Sequence, residues 1–404
     1  MAENPFGQGG PEEEELSIEG NPIDTAEIDP QLAEAIASGE MTEMEDGSVE
    51  VGEFVDETVI EEEGIPFDAN LSEYMDTQEL GALSSNLIAA VESDISARED
   101  WEKIYQRGLE LLGVEEDDRT EPFEGAAGVT HPVLAESVTQ FQAQAYKELL
   151  PAGGPVRVQI VGDPNPETEK QSQRVQDFMN YQICYNMEEY DPELDQLLFY
   201  LPLSGSAFKK VYYDEMKERP VARFVHSEDI IVPYNSVDLS NAVRLTHRLK
   251  MTGNDVRKFQ VSGVYRDVPV QPTSVYSDLQ ETIEKVSGES ASNTYEEDDL
   301  EIYEIHTYLE LEGFEDVGED GEPTGIKVPY IVTIDVGSSN ILSIRRNYQE
   351  EDPKKDPNKY FVHYKFLPGL GFYGFGLPHI IGNLSRSATS ILRQLIDAGT
   401  LANL

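Results

Sequence analysis

Apolar residues recur at a period near 3.6 in some stretches of the chain and near 2 in others. The helical period predicts helices over 76–95, 97–112, 167–189 and 192–201, with Trp101 on the second. Thr130-His-Pro132 reads as a hydroxyl cap followed by proline in the first turn. It opens a helix carrying Leu134, Val138, Phe141, Ala145 and Leu149, which Leu150-Pro-Ala-Gly-Gly-Pro155 stops. Shorter helices are predicted over 252–261, with a capped start, and over 274–286. The alternating period predicts strands at 156–161, 207–213, 220–226, 230–232, 243–251, 300–311, 327–336, 341–347 and 360–366. The expected class is α+β, with long helices flanking a strand-rich middle and no repeat of fixed period.

The last 45 residues combine three patterns. An aromatic strand over 360–366 leads into a bend over 368–376 that holds four glycines. An amphipathic helix follows over 377–398. Its apolar set is Leu377, Ile380, Ile381, Leu384, Ala388, Ile391, Leu392, Leu395 and Ile396, one face of a helix roughly 30 Å long at about 1.5 Å per residue. Pro378 suits its first turn and Gly399 the position just past its end. Gly369-Leu-Gly371-Phe-Tyr-Gly374 is a literal G-x-G-x-x-G between a strand and a helix. A dinucleotide site needs the helix to open on those glycines. Here it opens later, Phe372 and Tyr373 are too large for close backbone approach, and no acidic-ended second strand follows. The motif reads as a bend between packing aromatics.

Charge changes the picture most. The formal net charge is −50, and Arg98 is the first basic residue, so residues 1–97 carry −27 and the other 307 carry −23. Residues 1–70 are expected to form an acidic disordered arm. So acidic a chain is a poor adhesive for nucleic acid or anionic membranes, because phosphate binding needs Lys and Arg to release counterions. No apolar run approaches 18 residues, so no membrane partner is expected. Cys184 is the only cysteine, which excludes an internal disulfide and a thiolate cluster, and it reads as a buried small hydrophobe.

Catalytic patterns are sparse. His131, His226, His247, His306, His363 and His379 share no helix face, and no H-E-x-x-H exists. Asp316, Gly318, Asp320 and Gly321 resemble a calcium loop, but its twelfth position is Lys327, so a solvated hairpin turn is expected. Ser204-Gly205-Ser206 is not a nucleophile elbow. Phe208-Lys209-Lys210-Val-Tyr212-Tyr213 and Ile344-Arg345-Arg346-Asn-Tyr348 are basic-aromatic runs, read as charged strand edges or weak phosphate contacts. No catalytic, metal or cofactor-binding residue is assigned.

Several spaced runs together resemble the portal proteins of short-tailed double-stranded DNA bacteriophages. They are Thr120-Glu-Pro-Phe-Glu-Gly-Ala-Ala-Gly-Val-Thr-His-Pro132, Gln140-Phe-Gln-Ala-Gln-Ala-Tyr-Lys-Glu-Leu-Leu-Pro151, Gly205-Ser-Ala-Phe-Lys-Lys-Val and Tyr373-Gly-Phe-Gly-Leu-Pro-His-Ile-Ile-Gly. The resemblance covers 71–404 and implies the wing and hip part of a portal core. It implies a homo-oligomeric ring of about twelve subunits at one capsid vertex of the virion, assembled in the host cytoplasm. Double-stranded DNA would be packaged through its channel by the terminase large subunit and later ejected. Head-completion or tail adaptor proteins would dock on it, and the major capsid or scaffolding protein would surround it. No enzyme activity and no cofactor are implied. Contact with double-stranded DNA would be transient and non-specific, past an acidic channel that repels phosphate. Portals of this family are usually longer, so the remaining stem, the motor-facing region and the crown are expected beyond Leu404. Another head–tail connector or an ejected internal protein is the alternative, and a nucleotide-binding enzyme the third class.

Overall fold

The computed structural model describes residues 41–43, 49–51, 65–112, 126–214, 217–273, 278–287, 299–318 and 322–402. The chain divides into two units, 1–64 and 65–404. In the first, β1 (Met41–Glu43) pairs antiparallel with β2 (Val49–Val51). Of the acidic arm expected over 1–70, residues 1–40, 44–48 and 52–64 lie outside the described residues, as do 113–125 and 288–298.

The second unit is mixed α+β. Its helices are α1 (Thr77–Ala97), α2 (Glu99–Glu110), α3 (Val133–Leu149), α4 (Pro166–Tyr181), α5 (Tyr190–Ser204), α6 (Gly253–Val261), α7 (Asp278–Ser287) and α8 (Leu377–Ala402). Three of the starts follow from side-chain caps: Asp76 accepts from the Gln78 N–H, Thr252 from the Asp255 N–H, and Asn165 and Thr168 form a capping box. Strands β3 (Ser206–Asp214), β4 (Arg219–Val225) and β10 (Phe361–Lys365) form an antiparallel sheet in the order β10-β3-β4. Strands β5 (Ile230–Ile231), β6 (Arg244–Thr252), β7 (Asp299–Leu309), β8 (Val328–Asp335) and β9 (Asn340–Arg346) form a second antiparallel sheet in sequence order.

Packing follows the apolar stripes. Leu80, Leu87 and Val91 of α1 cover one face of the five-stranded sheet, against Ile305, Val332, Ile334 and Ile344. A second cluster joins α2, α3 and α8 through Tyr105, Leu109, Leu134, Val138, Leu377 and Ile381. Phe208, Val225, Leu245 and Phe372 hold the two sheets together.

The second unit begins at Ile65, ahead of the boundary expected at residue 71. Edge strand β9 explains it, because its outer N–H and C=O groups need partners. The Asn70 carboxamide accepts from the Ile344 N–H at 3.0 Å and donates to the Leu342 carbonyl at 3.1 Å. Arg346 donates to the Pro66 and Phe67 carbonyls, and Arg345 to that of Asp68. The Arg345-Arg346 run is therefore an internal anchor rather than a phosphate contact.

Four local expectations are corrected. Residues 156–161 form no strand: the Val156 and Val158 N–H groups donate to Asn180 and Gln176 side chains of α4 instead of a ladder. Thr130 does not cap α3, whose N-cap is Pro132. Its hydroxyl accepts from Arg393 of α8 at 3.2 Å. Gly399 does not end α8, which continues to Ala402. Cys184 is exposed, not buried. It lies on a π-helical turn, Gln182–Asn186, whose extra residue shifts the face that α4 would otherwise continue.

Lys209 is a further surprise. It lies on the central strand of its sheet, not at an edge, and is only 3% exposed. Its ammonium sits 4.1 Å from the Tyr190 ring centroid. Burial lowers its pKa to about 8, and the nearby Glu193 carboxylate offsets only part of that. Between that value and the unfolded value near 10.4 the folded chain binds fewer protons, so stability rises with pH across that window. Lys209→Met is expected to gain about 1–3 kcal/mol at pH 7 in urea denaturation, a gain that shrinks toward pH 10. An equal gain at both pH values would contradict the assignment.

Candidate functional site

The centre of the unit is a close contact between two backbone segments, 203–206 and 367–376. Proline inside a helix removes an N–H, and Pro202 lies near the end of α5. Gly205 then takes a left-handed φ of 85° and sends the chain into β3. A Cβ built on Gly205 would lie 2.3 Å from the Gly374 carbonyl oxygen, and one on Gly374 would lie 2.3 Å from the Gly205 carbonyl oxygen. A Cβ on Gly376 would meet the Leu203 carbonyl oxygen at 2.6 Å. No side chain fits between these backbones.

Polar groups lock the contact. The Gly374 N–H donates to Ser206 Oγ at 2.8 Å, and that hydroxyl meets His363 Nε2 at 3.0 Å. The His363 ring packs against both Phe208 and Phe372, at 4.4 and 4.8 Å, and those two rings also meet each other. Burial lowers its pKa to about 3, helped by the Lys365 charge. Across the bend, Tyr373 donates to the Ile230 carbonyl at 2.8 Å and stacks on Trp101 at 4.4 Å. Buried Arg98 completes the lock by donating to the Ile230 carbonyl, the Glu228 carbonyl and the Tyr373 hydroxyl. It also pairs with Glu102 at 2.7 Å. Arg98 thus ties the α1–α2 junction to the bend.

The G-x-G-x-x-G reading is settled by the same bonds. The Gly374 amide is used by Ser206, and the Phe375 amide by the Leu367 carbonyl at 2.9 Å. The helix opens at Leu377, beyond the motif. Ser206 and His363 are the pair that a search for nucleophiles would stop at. Ser206 is 1% exposed and its hydroxyl is engaged by Gly374, so the pair clamps the bend. The sequence held a signal for it, because Ser206 and His363 both sit on strands whose neighbours are aromatic.

Leaving the bend, α8 has an inverted surface. Its buried positions are Pro378, Gly382, Ser385 and Thr389, small or polar, packed near α2 and α3. Asp397 and Thr389 accept from the Ala127 and His131 amides, and Arg393 donates to the Val129 carbonyl. The large apolar residues are outside: Ile380, Leu384, Ile391, Leu395 and Ile396 are 54%, 65%, 66%, 69% and 39% exposed. At about 100° per residue, Ile380, Leu384, Ile391 and Leu395 fall within about 60° of arc, a narrow seam. The expected single apolar face is therefore split. Leu377 and Ile381 join the core, Ala388 and Leu392 are half-buried, and Ile380, Leu384, Ile391 and Leu395 form a second, solvent-facing row.

Between the sheets lies a polar cluster that no motif announced. Lys210 of β3 reaches Glu304 of β7 with Nζ–O distances of 2.6 and 2.7 Å. His306 Nε2 lies 3.0 Å and His247 Nδ1 3.9 Å from the same carboxylate. Burial would raise the Glu304 pKa, but the two imidazoles and the Lys210 ammonium outweigh it and hold it well below the usual range. His247 and Glu304 are direct cross-strand partners, which is why two distant histidines meet here.

The remaining candidates are structural. Asp316 accepts from Thr324 at 2.6 Å and pairs with Lys355 beside a Val317–Pro323 bridge, as a hairpin turn requires. His379 Nδ1 accepts from the Gly376 N–H at 3.2 Å. Among the described residues, no group of three or more His, Cys, Asp or Glu is arranged to hold a metal, and no helix is long and apolar enough to cross a membrane.

Neither a protein-family model nor a curated protein sequence matches this chain. The functional reading therefore rests on its own residues: a rigid glycine lock, and a long helix that leaves the lock with its large apolar side chains facing outward.

Proposed function

We propose that this chain is a subunit of a phage portal, a ring at one capsid vertex through which double-stranded DNA is packaged and later ejected. The observation that carries the reading is the outward apolar seam of α8. A monomer gains nothing by exposing Ile380, Leu384, Ile391 and Leu395 in one row while burying glycine, serine and threonine on the other side. A repeating neighbour that covers the seam removes that cost, and a heterologous contact of this kind closes into a ring when its rotation divides a full turn. The glycine lock supports the same reading, because a helix that transmits load between subunits needs a fixed departure angle. The net charge of −50 supports it too, since a channel wall must let DNA pass without holding it.

Purified chain is expected to give rings with a central hole, of about twelve-fold symmetry, in particle images and native mass spectra. The double variant Leu384→Glu, Leu395→Glu replaces two exposed residues, so it is expected to stay folded and run as a monomer. Rings that form normally from this variant would overturn the role of α8. Small asymmetric particles from the unaltered chain would favour an ejected internal protein instead.

A further inference from the structure

No residue of α4 is buried, although the helix runs for 16 residues. A helix of that length is marginal in water unless an apolar face is covered. Along one side, Asn180 and Gln176 hold the backbone of 156–158 by hydrogen bonds, which makes a polar seam. The apolar residues lie on another side. At about 100° per residue, Val175, Phe178 and Met179 fall within about 100° of arc, and Glu169, Lys170, Arg174 and Asp177 lie outside it. Tyr181 and Tyr185 stack at 6.0 Å and extend the strip onto the π-helical turn.

Phe178, Tyr181 and Tyr185 are 59%, 57% and 75% exposed. At roughly 150–250 Å² per aromatic side chain, these three leave roughly 300–480 Å² uncovered before Val175 and Met179 are added. That is the size of the largest patch on a typical monomer. It is also about half of one partner's share, about 800 Å², of a stable interface.

The outward row of α8 has the same character. Asn383, Ser387 and Gln394, the exposed residues beside it, are uncharged, and Arg386, Arg393 and Asp397 lie round the far side of the helix. A charged surface laid on either face would lose its water without gaining a counter-charge, so the cover for each is apolar. The portal reading, on which this inference rests, adds a condition. A row packed on the same row of another copy makes a two-fold contact and stops at a dimer, so a ring needs two different patches on each subunit. The α4 strip and the α8 row leave each other exposed within one chain, so each is open to a neighbour. At about 1.5 Å per residue the α8 row is roughly 22 Å long and the α4 strip roughly 15 Å, so the row spans the strip.

We infer that the α8 row of one copy packs across the α4 strip of the next copy in the ring. Leu384 and Ile391, at the middle of the row, cover Phe178, and the ends of the row shield the tyrosine pair. Each subunit then gives its α8 to one neighbour and its α4 to the other.

Cross-linking of the full chain tests the pairing. Cys184 is exposed and is the only cysteine, so Cys184→Ser gives a background without thiols. Phe178→Cys and Leu384→Cys are then introduced singly and together. Packed helices lie about 8–10 Å apart, within reach of a short bis-maleimide. The double-cysteine variant is expected to give a ladder of covalent multimers, up to about twelve, on a denaturing gel, and each single-cysteine variant monomer alone. Dimers from Leu384→Cys alone would show row packed on row and overturn the inference. The double variant Phe178→Glu, Tyr185→Glu changes two exposed residues, so the fold persists, and it is expected to raise the concentration at which rings form at least about tenfold. Gln173→Glu, on the polar side of α4, is expected to leave that concentration unchanged. Where the unaltered chain forms rings, normal rings from the α4 glutamate variant, or no ladder from the double-cysteine variant, would overturn the α4 contact and leave the portal reading standing. Absence of rings from the unaltered chain would overturn both.

Discussion

Gly205→Ala is expected to cost about 4 kcal/mol or more, enough to leave the chain largely insoluble or unfolded. Two independent terms add. The residue adopts φ 85°, where an L side chain is disfavoured by about 1–2 kcal/mol. The new Cβ would then lie 2.3 Å from the Gly374 carbonyl oxygen and 2.5 Å from the Gly376 nitrogen. Both are backbone atoms, so no rotamer change relieves the overlap, and separating the two segments would also break the Gly374 bond to Ser206. Gly374→Ala meets the Gly205 carbonyl from the other side and should fail the same way. Gly399→Ala is the control. It lies inside α8 with open space around it, and should gain about 0.5–1 kcal/mol. Urea denaturation of the three variants gives the ranking, and a Gly205→Ala chain within about 0.5 kcal/mol of the parent would refute the lock.

Acid is expected to loosen the same lock through His363. Its folded pKa of about 3 lies below the unfolded value near 6.5, so the unfolded chain takes up a proton on this ring first. The contribution is fully present above pH 6.5, is lost as pH falls, and levels off only near pH 3. Each pH unit in that window costs about 1.4 kcal/mol, so about 3 kcal/mol is gone by pH 4.5. The cause is physical: a charged imidazole packed against Phe208 and Phe372 would lose its water and lie near the Lys365 cation. His363→Gln keeps a polar group for Ser206 and cannot titrate. Denaturation at pH 7 and pH 4.5 should show the parent losing about 3 kcal/mol more than the variant. Parallel losses in the two chains would refute the assignment, since acidic pairs such as Lys210–Glu304 are common to both.

Much of the fold was legible because its signals are local. Asp76, Asn165 and Thr252 announce helices by capping geometry, and the strands expected at β3, β7 and β8 all pair in the sheets, with alternation kept in the second half of β3. What was hidden depends on distant partners. Thr130 has the right chemistry for a cap, but Arg393 lies close enough to take its hydroxyl. Lys209 sits in a run that reads as a surface edge, and only the arrival of β10, about 150 residues later, makes its strand central. Arg98 stands out in sequence as the first cation, yet nothing nearby predicts that it bonds to residues 228, 230 and 373. The glycines of the bend were visible, but their matching partner, Gly205, was not. The α8 pattern was correct in period and wrong in direction, because hydrophobicity gives the period of a face and not what will cover it.

The strand order has a consequence for synthesis. Strand β3 is completed at Asp214, but its partner β10 ends only at Lys365. At about 5–20 residues per second, the edge of β3 that β10 will cover stays open for roughly 10–30 s. During that interval the edge, Ser206 to Lys210, carries Ala207 and Phe208 beside unpaired backbone groups, a surface on which nascent chains can pair with one another. The Lys209-Lys210 pair lies at the end of that edge. Its two charges repel a second copy in the same register, so a lysine that burdens the finished fold protects the unfinished one.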